Sequence, residues 1–312
     1  MWWLLGAAGV IVTFFLILYM LYYAVFCRNK MSILDDRTLP EGEQYEPYNE
    51  SILQGIEKML PEVYEEVYIT SYDGLKLFGK LYLLFENAPM VLFFHGYRSS
   101  SIRDGSGIFH LCKRQGYNIL MIDERAHGRS DGKVITFGIK ERYDVKNWVD
   151  YAVGRCGRNT KILLTGISMG AATILMSANM ELPDQVKGMI ADCPYSAPGD
   201  ILRSVMRSLK LPDRFFYTLT KWSARIFGHF DLEEITAKEA VSESKIPILF
   251  IHGDDDRLVP CCMSQECYDA CASHKELLFV KGAGHGLSFC VDAERYEREV
   301  MQFMNCVFKG EQ

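Results

Sequence analysis

The pattern of apolar and polar positions divides the chain in two. Trp2 to Phe26 carries no charged residue. Wound as a helix, this segment would cover roughly 37 Å, more than the roughly 30 Å of a bilayer's hydrocarbon core. Trp2 and Trp3 at one end and Tyr19, Tyr22 and Tyr23 at the other stand where interfacial belts would lie. A polar stretch follows from Met31 to Pro61, in which Asp35, Asp36, Pro40, Glu41, Gly42, Glu43 and Pro47 argue against a core strand. It reads as a linker with a short helix near Ser51 to Met59.

From Val63 onward strands and helices alternate. Val63–Thr70 and Leu75–Phe85 flank Asp73-Gly74 as a hairpin. Met90–Phe94 is a short continuous apolar run, as a strand buried on both faces requires, and it ends at His95-Gly96. Ile102–Gln115 reads as helix, Tyr117–Ile122 as strand, and Ile139–Val153 as a helix with Val145, Trp148, Val149 and Ala152 on its apolar face. The strand Ile162–Thr165 runs into a glycine-flanked serine and an apolar helix, Ala171–Met180. Val186–Ala191, Ile248–Ile251 and Glu276–Val280 are further strands, and Leu287–Phe308 reads as the closing helix. Such alternation predicts an α/β fold: a mostly parallel eight-stranded sheet with helices on both faces. The expected layout is 1–27 as a transmembrane anchor, 28–62 as linker and short helix, and 63–312 as the catalytic-type domain, with an insertion at about 195–244 where the rhythm breaks.

Composition narrows the function classes. The net charge is −6, so there is no basic surplus to neutralise a phosphate backbone, and nucleic acid is not an expected partner. The ten cysteines are scattered; a domain of this size needs no disulfide framework, and most are expected to be reduced and structural. A cleaved signal would want a basic start, a shorter apolar stretch and a small-x-small exit, and none is seen; Phe26 before Cys27 is too bulky for a lipoprotein site. An uncleaved membrane anchor is the expectation. Arg28 and Lys30 just after the span place the following domain on the cytoplasmic side by the positive-inside rule.

In such sheets ligands sit at the carboxyl ends of the strands, and the chemistry lies there. Gly166-Ile167-Ser168-Met169-Gly170 fits the G-x-S-x-G turn that lifts a nucleophilic serine above a sheet. A serine hydroxyl needs a base, and His285 follows the last strand in Gly282-Ala283-Gly284-His285-Gly286. The base needs an orienting carboxylate; Asp254, Asp255 and Asp256 compete for that role after Ile248–Ile251. The N–H groups of Tyr97 and Met169 are the expected oxyanion donors, with His95 bracing its loop. No metal or organic cofactor is implied.

These residues resemble the α/β-hydrolase superfamily from about Val63 to the C-terminus. The resemblance rests on His95-Gly96, on Asp123-Glu124-Arg125-Ala126-His127-Gly128-Arg129-Ser130, on the turn at Ser168, on His252-Gly253-x-x-Asp256-x-x-Val259-Pro260, and on Gly284-His285. It selects Asp256 among the three acids. Ala126 departs from the glycine that the family often shows in its block. The nearest likeness is to lysophospholipase, monoacylglycerol-lipase-like and prolyl-peptidase-like bacterial hydrolases with an N-terminal membrane segment. The resemblance implies a serine hydrolase without a cofactor, acting on a carboxylic ester, hydrophobic acyl esters and lipids being the first candidates. A peptidase or thioesterase on the same residues, and a non-catalytic membrane-bound binding protein on this fold, are the alternatives. Within the insertion, a short helical cap, Phe215, Phe216 and Trp222 are candidates to contact substrate, and equally candidates for the cap's own core. Arg203, Arg207, Lys210 and Arg214 recur there at helical spacing, suited to solvent or to an anionic surface.

Overall fold

The structure, a computed structural model, describes residues 2–29 and 35–309. Lys30, the side chain of Trp2 and the last three residues lie outside what is described. Eight strands form one sheet in the order β1-β2-β4-β3-β5-β6-β7-β8. They are β1 (Glu65–Thr70), β2 (Lys76–Tyr82), β3 (Met90–Phe94), β4 (Asn118–Asp123), β5 (Ile162–Ile167), β6 (Val186–Asp192), β7 (Ile248–Gly253) and β8 (Lys275–Val280). β1 pairs antiparallel with β2 and β2 with β4, whereas β3 to β8 run parallel. This is the α/β-hydrolase sheet that the sequence implies.

Side chains alternate across the pleat, so each central strand feeds two cores. Met90, Leu92 and Phe94 of β3 join Trp148 of α4 (Glu141–Cys156) and Ile174 of α5 (Met169–Met176). Val91 and Phe93 join Phe109 of α3 (Ser101–Gln115) and Phe303 of α11 (Ala293–Lys309) on the other face. Burial on both sides is why β3 is apolar at all five positions.

Three elements differ from the sequence expectation. The closing helix is broken into α10 (Ser288–Val291) and α11, because Asp292 leaves the helical region (φ −142°, ψ 70°) and its carboxylate caps the N–H of Arg295 at 3.1 Å. The helix after Ser168 ends at Met176 rather than Met180. A helix not foreseen, α9 (Cys262–Ala270), takes up the cysteine-rich run. None of the ten cysteines is joined in a disulfide.

The polar linker is more structured than its composition suggests. A single 3₁₀ turn (Glu46–Tyr48) leads into α2 (Asn49–Met59), which packs on α3. α1 (Trp2–Phe26) is one continuous apolar helix. Leu5–Phe26 is long and apolar enough to cross a membrane. Its second half docks on the domain, burying Leu18 and Phe26 completely. The insertion folds as α6 (Pro198–Ser208), α7 (Asp213–Ser223), a wide turn at Ala224–Gly228 and α8 (Ala237–Val241). In that insertion Arg203 pairs with Asp200 and Arg207 with Asp213.

The Asp123–Ser130 block is structural. Arg125, 3% exposed at its side chain, grips Asp144 of α4 with two hydrogen bonds of 2.6 and 2.7 Å and reaches Asp73 of the hairpin turn at 2.9 Å. One cation thereby ties the β1–β2 hairpin, the end of β4 and α4 together. Ala126, where glycine is the commoner residue, is held at φ +61°. Removing a single partner from such a buried pair leaves an uncompensated charge. Arg125→Met is expected to cost about 3–5 kcal/mol in urea unfolding, and the double change Arg125→Met/Asp144→Leu should recover most of that loss.

Candidate active site

The carboxyl ends of the parallel strands bring the candidate residues to one edge of the sheet. Ser168 stands between β5 and α5 at φ +55°, ψ −113°, a conformation costly for any residue with a Cβ. Two backbone bonds hold it there: its N–H donates to Asp192 O and its carbonyl accepts from Ala172 N, both at 2.9 Å. The flanking glycines are obligatory. A Cβ on Gly166 would overlap the Gly170–Ala171 peptide, and one on Gly170 would overlap the Phe94 carbonyl of β3.

His285 lies in the loop after β8. Its Nε2 is 2.9 Å from Ser168 Oγ and its Nδ1 is 2.7 Å from Asp256 Oδ2. Asp256 is fully buried at its side chain and saturated with donors. Oδ1 accepts the N–H groups of Leu258 (2.9 Å) and Val259 (2.8 Å), and Oδ2 also faces His252 Nε2 at 3.2 Å. Burial alone would raise the pKa of Asp256, but the two imidazoles overcome it and hold the carboxyl well below the usual range. Burial would likewise lower the pKa of His285; the neighbouring Cys193 and Asp256 reverse that and hold it well above the ordinary histidine value.

The competing acids have other work. Asp254 accepts the N–H of Gly282 at 2.6 Å, bracing the His285 loop, and Asp255 pairs with Arg257. His95 is fully buried, with Nε2 accepting the N–H of Glu124 (3.1 Å) and Nδ1 facing Gly96 O (2.8 Å). That pattern requires a neutral ring protonated at Nδ1, so His95 braces the loop after β3. Gly96 N–H donates to Asp104, Arg98 N–H to His127 and Ser168 N–H to Asp192. Among the described residues, the N–H groups of Tyr97 and Met169 have no protein acceptor. They are the two expected from the sequence as oxyanion donors.

A cavity of about 740 Å³ opens on Ser168 and His285. Its far walls correct one expectation. Phe215, Phe216 and Trp222 do not line it. Phe215 is 61% exposed, Phe216 packs on the core, and Trp222 meets Phe14 of α1 edge-on at 6.1 Å. Tyr19 and Tyr22 of α1 meet Phe227 at 5.4 and 5.8 Å, and Phe26 meets Phe230 at 5.2 Å. Trp222, Phe227 and Phe230 are the seat of α1, whose apolar flank must be covered where it touches the domain. The cavity is roofed instead by the linker, through Leu39, Pro40 and Tyr45, and by Ile52 of α2. Gln44 pins this roof with hydrogen bonds to Asp255 O (2.9 Å) and Asp255 Oδ2 (3.0 Å).

Sequence reasoning missed four participants. His252 was visible only as part of a family string, though its spacing of four from Asp256 in a tight loop was a usable signal. Cys193, fully buried after β6 and held at φ +46°, abuts His285. Burial pushes its thiol up to about 11, against the opposing pull of His285. Gln44 and Tyr45 carried no signal, since a polar linker gives no hint of what it crosses. The ligand atoms of Cys193, Asp256 and His285 lie within 4.8 Å of one another.

Comparison with known proteins bears on the fold. The family model Hydrolase_4, described as serine aminopeptidase, S33, matches residues 86–230. The uncharacterised protein YqkD of Bacillus subtilis is 27% identical over 197 residues, 63% of this chain and 65% of YqkD. The lysophosphatidylserine lipase ABHD12 of Xenopus tropicalis is 25% identical over 228 residues, 69% of this chain and 51% of that protein. Among solved structures, the esterase Pf2001 of Pyrococcus furiosus superposes with a TM-score of 0.65 and 28% identity, over 79% of this chain and 92% of the esterase.

The charge arrangement makes a titration test. The imidazole of His285 is expected to titrate above the ordinary value of about 6.5. Asp256→Asn removes a partner that raises it and leaves burial to pull it down. Histidine NMR titration of both forms should show the His285 midpoint moving to lower pH in the variant; an unmoved midpoint would contradict the pairing.

Proposed function

We propose that this α/β hydrolase is a serine esterase in which Ser168 is the nucleophile, His285 the base and Asp256 its orienting carboxylate. The observation that supports it most directly is the unbroken relay Asp256–His285–Ser168, at 2.7 and 2.9 Å, at the carboxyl edge of the sheet. Ser168 Oγ attacks the ester carbonyl carbon as its proton passes to His285 Nε2. The carbonyl oxygen becomes an oxyanion received by the N–H groups of Tyr97 and Met169. His285 returns the proton to the departing alkoxide. Water then attacks the acyl-serine with His285 again as base, releasing the acid and restoring the hydroxyl. Asp256 stays ionised throughout and stabilises the imidazolium, which its low pKa permits.

The substrate reading is a hydrophobic acyl ester. Leu39, Ile52, Ile108 and Phe289 give the cavity its apolar walls, in a volume suited to an acyl chain. With α1 as a membrane anchor and the domain on the cytoplasmic side, the substrate would be one that partitions into lipid. The family description as an aminopeptidase keeps amides in view, and a thioester would meet the same relay.

Ser168→Ala should lower turnover by on the order of 10⁶ and abolish labelling by a fluorophosphonate probe, with the melting temperature unchanged. Activity near wild type would refute the assignment. A panel of p-nitrophenyl esters of rising chain length, monoacylglycerols, thioesters and aminoacyl amides decides the substrate class, with the longer esters expected to lead. Because the roof supplies a wall, Ile52→Trp should move the preferred acyl chain to shorter lengths while leaving the rate on acetate esters nearly intact. An unchanged chain-length profile would remove the linker and α2 from the pocket.

A further inference from the structure

An α-helix leaves its last carbonyls without partners inside the helix. At the end of α1 three successive carbonyls are taken up by the hydrolase domain. Ala24 O accepts Arg98 Nη2 at 2.7 Å, Val25 O accepts the Tyr97 hydroxyl at 2.7 Å, and Phe26 O accepts the N–H of Ile135 at 2.7 Å. Arg98 Nη2 also reaches Cys27 O at 3.3 Å. A cation at this end complements the helix dipole. Just beyond, Arg28 is stitched to the Asp123–Ser130 block, through Ser130 O (2.7 Å) and Gly128 O (2.5 Å).

Two of those three donors are consecutive residues of the loop after β3. Tyr97 contributes the expected oxyanion N–H from its backbone, and its ring stacks on Phe137 at 5.1 Å, which in turn meets Phe26 of α1. Arg98 is held at φ +50°, with its N–H on His127 at 2.9 Å. The peptide between Gly96 and Tyr97 is therefore fixed on one side by Asp104, through the Gly96 N–H, and on the other by α1, through two side chains.

We infer that the last turn of α1 orients the oxyanion donor of Tyr97, with the Tyr97 hydroxyl and Arg98 as positioning groups that act through that N–H. This rests on the serine-esterase reading and deepens it: the apolar helix contributes to transition-state stabilisation as well as to location. A donor of this kind must point at where charge develops, and removing one outright costs on the order of 10²–10³ in turnover. Loosening one costs part of that.

The test uses the full chain in detergent micelles, with a short soluble p-nitrophenyl ester and its thiono counterpart, in which sulfur replaces the carbonyl oxygen. A well-aimed hole favours the oxygen compound, because sulfur accepts hydrogen bonds poorly. Tyr97→Phe keeps the ring stack and the backbone N–H. Tyr97→Phe and Arg98→Met are each expected to lower kcat on the oxygen ester about tenfold, with KM within about twofold of wild type. The oxygen-to-sulfur rate ratio should shrink, and Arg98→Lys should recover part of the loss. Wild-type kcat in Tyr97→Phe overturns the inference. So does a fall in kcat with the ratio unchanged, which would mean general loosening of the fold. If Arg98→Met does not fold, Tyr97→Phe decides alone. If wild type cleaves neither ester and takes no fluorophosphonate, the esterase reading has failed and this inference falls with it.

Discussion

The steric problem at Ser168 governs the site. A side chain at φ +55° is sustained only when its surroundings leave no alternative. Here β3, β5 and α5 approach so closely that glycine is the only residue admissible two positions to either side. That closeness points the hydroxyl out of the sheet and sets a helix N-terminus beneath it. It also brings the loop after β3 within reach, since the Phe94 carbonyl is the atom that excludes a side chain at Gly170. Ser168 and the loop after β3 are thus fixed by one contact between neighbouring strands.

The electrostatics are organised around Asp256 rather than around His285. Its two oxygens receive two backbone N–H groups and two imidazoles. A carboxylate so supplied stays ionised in a buried setting and gives His285 a fixed tautomer. His252, bonded also to Ser264 at 2.6 Å, lies fully buried against this carboxylate. His95 and His127 play a comparable part across the site, each accepting a backbone N–H through Nε2 and meeting edge-on at 4.8 Å.

What the sequence disclosed follows from locality. The strands were legible because burial on both faces forces continuous apolar runs. Ser168 and His285 were legible because glycines mark where the backbone must bend next to them. The choice of Asp256 over Asp254 and Asp255 came from resemblance, and nothing local to that run distinguishes the three acids. The break at Asp292 turned on a cap three residues long, and α9 hid in a run that looked like cysteine chemistry. The substrate assignment to Phe215, Phe216 and Trp222 went astray for a different reason. Aromatic residues opposite an active site and aromatic residues facing an apolar helix carry the same pattern, and only the docking of α1 separates them. Conversely, Gln44 and Tyr45 reach the site from a stretch with no periodicity at all.

The roof has a bearing on what counts as a unit of this protein. By composition the boundary falls near residue 63, where the first strand begins. Yet Leu39, Pro40, Tyr45 and Ile52 all precede it and all face the cavity. A fragment cut at that boundary would keep the full sheet and the three relay residues but lose a wall of its own pocket. The portable module, in the sense of a piece that could be moved to another scaffold with its selectivity intact, has to start before Thr38.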